Sequence, residues 1–136
     1  MTSRRAAGFI AALVVVAACS KPPSEKDVVG SMISWMGTGD LAAQAWLNHT
    51  TFDHYTRETL ELSSKMLDDQ SSQLAEVAPA HPAVLDSAVT HARHAMTDIA
   101  NLIAANDAPD VLPKLDSLRA AKKIVLAISD SLEKQQ

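Results

Sequence analysis

From residue 24 onward, the apolar positions fall into four helix-period stripes separated by short breaks. In the first, Val28, Met32, Trp35, Gly39, Ala42 and Trp46 step by fours and threes, which places them on one helix face. Ser24 stands where an N-cap belongs, and Glu25 and Asp27 fall in the first turn, where the helix dipole favours negative charge. Gly37-Thr38-Gly39-Asp40 interrupts the middle. Either Asp40 re-caps a second segment, or one helix continues and its glycines admit a close neighbour. The unbroken stripe favours the continuous helix, ending at Asn48-His49-Thr50.

The second stripe opens near Thr51, with Asp53 in its first turn, and runs towards Ala78 and the stop at Pro79. Leu60, Leu67 and Leu74 repeat every seven residues. Phe52, Tyr55, Leu62, Met66 and Val77 are expected to widen that buried face. The third begins with Pro82 as a first helical residue. It carries Leu85, Ala88, Ala92, Ala95, Ile99, Leu102 and Asn106, flanked by Val84, Val89, Met96 and Ile103. Its alanines imply a close helix contact. The fourth starts between Asp107 and Leu112, with Pro113 near its entry. Its stripe is Val111, Leu115, Leu118, Ala121, Val125, Ile128 and Leu132. Four amphipathic helices with connections of a few residues predict an all-α, up-down-up-down four-helix bundle over residues 24–136.

Ahead of the stripes the pattern changes. Arg4 and Arg5 precede an apolar run from Gly8 to Val16, followed by the small Ala17 and Ala18. That run is too short for a mature membrane span, which needs about 20 apolar residues, and reads as an export signal. The tetrad Val16-Ala17-Ala18-Cys19 resembles the lipobox of bacterial lipoproteins, and the resemblance covers residues 1–23 only. It implies a signal peptide over residues 1–18, removed before Cys19, with a diacylglycerol on the Cys19 sulfur. It also implies acylation, by palmitate for example, of the new amino end. Residues 19–23 would be the lipidated cysteine and a short linker. Ser20 matches the outer-membrane sorting pattern of that family, so the outer membrane is slightly favoured over the inner, with the domain facing the periplasm. The alternative is an ordinary secretory signal with Cys19 incidental. Several acyl chains hold a domain durably, because each buried CH2 contributes about 0.8 kcal/mol. The lipid also occupies the sole thiol, leaving none for disulfides or catalysis.

Composition narrows the function further. The chain has a formal net charge of −4, and loss of Arg4 and Arg5 makes the remainder more acidic. With no basic stripe, nucleic acid is not an expected partner, and the charge would not draw the domain to an anionic bilayer. There is no Gly-x-Ser-x-Gly elbow, no phosphate loop, no Glu-x-x-His pair and no Cys-x-x-Cys-His haem motif. Met32, Met36, Met66 and Met96 read as core residues rather than haem ligands.

Five histidines are the one enriched reactive type. His91, His94 and Asp98 lie on one side of the third helix, at a spacing that could hold zinc, copper or nickel. Measured from Ala92, His91 borders the core and His94 faces water, which favours ordinary surface histidines. His49 and His54, with Asp53, form a weaker cluster at the first turn. Trp35 and Trp46 read first as core; the alternative makes one of them an exposed partner anchor. The expected function is a non-catalytic, lipid-anchored interaction or accessory subunit at a bacterial envelope membrane, docked on another envelope or membrane-complex protein. It uses no cofactor beyond its covalent lipid. The alternative is a periplasmic metal-binding bundle using His91, His94 and Asp98.

Overall fold

The computed structural model describes residues 21–136, so the expected signal peptide and Cys19 lie outside the described residues. Four helices follow in order: α1 (Glu25–Leu47), α2 (Asp53–Val77), α3 (Ala83–Ala104) and α4 (Ala108–Lys134). Each packs antiparallel on the next, α4 closes on α1, and α1 meets α3 across the diagonal. The described residues form an all-α, up-down-up-down four-helix bundle. None of the described helices is long and apolar enough to cross a membrane.

α1 is continuous through Gly37 and Gly39. Ser24 caps it in a reciprocal box: its hydroxyl accepts from the Asp27 N–H at 3.2 Å, and the Asp27 carboxylate accepts from the Ser24 N–H at 2.9 Å. The Ser24 N–H first, and then the Ser24 hydroxyl, which also lies 2.9 Å from the carboxylate and donates to it, hold the Asp27 carboxyl below its ordinary pKa. Asp40 caps nothing. It sits inside the helix and receives two bonds from Arg119 of α4, at 3.0 and 2.9 Å, while Gln44 receives a third at 2.8 Å.

The two turns at the far end of the bundle share one geometry. Thr50 N–H donates to the Ala45 carbonyl and His49 N–H to Trp46; Asp107 donates to Leu102 and Asn106 to Ile103. These are paired Schellman bonds, which satisfy the last carbonyls of α1 and α3. The motif needs a left-handed residue, supplied by His49 (φ 57°) and Asn106 (φ 53°).

The core contains Val28, Met32, Met36, Leu60, Leu67, Leu85, Ile99, Leu115 and Leu118, all essentially solvent-free. Several expectations need correction. In α1 the buried centre runs through Met36 and Ala43, and Trp35 and Ala42 are only half-buried. In α2 the buried line is Thr56, Leu60, Ser63, Leu67 and Leu74. Phe52, Tyr55, Leu62 and Val77 are exposed, at 85%, 65%, 50% and 37%, and Met66 is half-buried.

The reason is register. Adjacent helical residues point about 100° apart, so burying Tyr55 and Leu62 would turn Leu60, Leu67 and Leu74 into water. The small hydroxyls of Thr56 and Ser63 enter the core because each bonds its own helix, to the carbonyls of Phe52 at 3.0 Å and Thr59 at 2.8 Å.

The helix starts shift too. Phe52 and Pro82 are N-caps rather than first-turn residues, Val84 is exposed, and Asn106 lies past the end of α3. α4 begins at Ala108 with Asp107 as N-cap, which puts Pro113 inside the helix, beyond the first turn.

Candidate functional site

Among the described residues, the arrangement offers two surfaces of interest. The first is a groove of about 420 Å³ between α3 and α4. Alanine makes it: Ala88, Ala95 and Ala121 form its floor, and the absence of larger side chains leaves the seam open. Val84 and Ile124 line one end. The predicted residues His91, His94 and Asp98 all line it, joined by Lys114 from α4.

The polar groups are already engaged. Asp98 pairs with Lys114 at 3.0 Å. The His91 Nδ1 lies 2.7 Å from the Ser87 carbonyl, which can only accept. In the neutral ring this bond places the proton on Nδ1 and leaves the Nε2 lone pair for a ligand. Both histidines are exposed, so His91 stands further from the core than its angular position suggested. No set of three His, Cys, Asp or Glu side chains among the described residues is arranged to hold a metal ion. The helix thus brings the predicted trio to one groove without converging them on one point.

The predicted second cluster separates. His54 pairs with Glu58 at 3.1 Å along α2. Asp53 accepts the Trp46 indole N–H at 2.7 Å, bridging the first turn. That bond holds the Trp46 ring in place at the turn. Trp46 is buried at 7% exposure, and half-buried Trp35 packs against the core. Neither is among the large apolar side chains that stand exposed.

The aromatic residues that do project are Phe52 and Tyr55. Tyr55, Thr59, Leu62 and Met66 share the spacing of one helix face, with Phe52 just ahead of it. This second surface starts at the end of the bundle opposite Ser24. α1 separates the two ends by about 35 Å at 1.5 Å per residue. Sequence reasoning assigned these residues to the core because they are apolar and near the leucine repeat. The signal that separates them is the strict seven-residue spacing of Leu60, Leu67 and Leu74, which leaves Tyr55 and Leu62 off its line.

Compared with known protein families, curated proteins and solved structures, the chain finds no match.

Proposed function

We propose that the chain is a lipid-anchored, non-catalytic helical bundle that serves as an interaction or accessory subunit at a bacterial envelope membrane. The observation that carries this reading is the placement of Phe52 and Tyr55. Aromatic side chains left 85% and 65% exposed at one end of a well-packed bundle are the residue types that anchor protein interfaces. Cys19 precedes Ser24 by a few residues, so the lipid would tie down the opposite end. The bundle would then hold its aromatic surface about 35 Å from the bilayer, within reach of a membrane-complex partner.

Two measurements test it. Mass spectrometry of native material should find the chain starting at Cys19 with diacylglycerol attached, and Cys19→Ser should leave the membrane fraction. An unmodified thiol, or a chain still starting at Met1, overturns the anchor. Gentle-detergent purification from native membranes should retain a stoichiometric partner that is lost on Phe52→Ala/Tyr55→Ala. Purification of the chain alone overturns the accessory role.

The shared groove favours a second reading, metal binding by His91 and His94, with Asp98 released from Lys114. Zinc and copper titration of wild type against His91→Ala/His94→Ala decides it. Binding no tighter than about micromolar, or unchanged in the double variant, removes it.

A further inference from the structure

One histidine is unlike the other four. His81 lies in the short connection between α2 and α3, and its side chain is only 9% exposed. Its Nδ1 is 2.6 Å from the Ala78 carbonyl, and its Nε2 is 2.8 Å from the Asp86 carboxylate. Both partners accept; neither can donate to a ring nitrogen at neutral pH. Neutral imidazole has one N–H and can satisfy only one of them. The imidazolium has two and satisfies both.

From this geometry we infer that His81 is a proton-operated latch. Its protonated ring joins the end of α2 to the start of α3, and loss of the proton releases that turn.

Most of the charges around it agree; only the positive pole of α3, whose N-cap Pro82 follows His81, opposes them. Ala78 is the C-cap of α2, whose free carbonyls carry the negative pole of the helix. Asp86 lies in the first turn of α3, and Glu25 acts on the ring from the first turn of α1. Three elements therefore present negative charge or dipole to one ring. The Ala78 carbonyl bond does most to raise the histidine above its ordinary pKa, with Asp86 and Glu25 adding to it and partial burial opposing.

Neutralisation leaves one nitrogen lone pair facing an oxygen lone pair, and that bond must open. The backbone bonds it protects are His81 N–H to Ala78 at 3.1 Å and Leu85 N–H to Pro82 at 3.0 Å. The device sits at the same end of the bundle as Ser24. It is independent of the lipid anchor and of the Phe52–Tyr55 surface.

NMR of the purified full chain tests it. The His81 ring should titrate with a midpoint above 6.5. Protection factors of the His81 and Leu85 amides, corrected for intrinsic exchange, should hold steady in mild acid and fall as pH rises through that midpoint. Asp86→Asn removes the carboxylate, and should lower the midpoint and carry the loss of protection with it. His81→Gln should fix protection at its alkaline level throughout. A midpoint at or below 6.5, or protection that ignores pH between about 5 and 9, overturns the latch. So does an unchanged pH profile in His81→Gln.

Discussion

Gly39 of α1 lies directly against Met96 of α3: a Cβ at position 39 would come within 2.8 Å of the Met96 methyl and 3.2 Å of its sulfur. The missing side chain is what lets the diagonal pair of helices meet at the centre of the bundle. Gly30, seven residues before Gly37 on the same helix, has nothing within 4 Å of its own missing Cβ.

The two glycines should therefore respond differently. Gly30→Ala should stabilise by about 0.5–1 kcal/mol, the ordinary helix-propensity gain. Gly39→Ala gains the same term but must displace the buried tip of Met96, so its net effect should lie near zero. Gly39→Val adds bulk that Met96 cannot escape and should cost about 1–3 kcal/mol. Urea midpoints at constant slope measure all three.

His49 holds a left-handed backbone at the end of α1, a position that favours glycine. His49→Gly should stabilise by about 1 kcal/mol, since the penalty for a side chain there is about 1–2 kcal/mol and glycine returns part of it through chain entropy. Asn106→Gly should gain less, because asparagine tolerates the same conformation. Thermal unfolding of the two variants makes the comparison, and equal gains would contradict the motif.

The Arg119 fork ties α4 to α1 through Asp40 and Gln44, and Asp40 holds the guanidinium proton even more firmly than usual. Asp40→Asn keeps the shape and removes the charge. Because Arg119 is more than a third exposed, solvent screens the pair, and the loss should be about 1 kcal/mol. Arg119→Lys should cost a similar amount, since an ammonium cannot make the paired contact. A double-mutant cycle isolates the coupling.

Stability should carry an alkaline signature from His81. Its folded pKa is raised above 6.5, so its contribution is complete below that value and lost as pH rises through the folded midpoint. Asp27 works in reverse. Its folded pKa is lowered from 3.8, so its contribution is present above 3.8 and disappears as pH falls through the folded midpoint. Tm should be highest between the two limits, His81→Gln should abolish the alkaline loss, and Ser24→Ala should reduce the acid one.

The four helices and their order were legible because each stripe repeats over many turns, and Leu60–Leu67–Leu74 or Leu115–Leu118–Val125 admit only one buried face. What was not legible depends on distant partners. Asp40 could serve as a cap in the sequence, and only Arg119, 79 residues away, reveals its role. Phe52 and Tyr55 are aromatic residues of a kind common in cores; the competing leucine line sends Tyr55 outward, and Phe52 stands ahead of the helix as its N-cap. The groove trio was visible as spacing, but Lys114 had no reason in the sequence to claim Asp98. His81 gave no signal at all, since its two acceptors are a backbone carbonyl and a residue of the next helix.

Lys26 and Glu133 pair at 3.5 Å, so the first turn of α1 and the last of α4 are neighbours. An even number of antiparallel rods brings the polypeptide back to its starting point. A short glycine-serine bridge could therefore join these two ends, and the ring could be reopened between Ala105 and Asp107 to give a circular permutant with the same bundle. In such a rewired chain, any fused reporter would leave from the tip beside Phe52 instead of from the side where Ser24 enters.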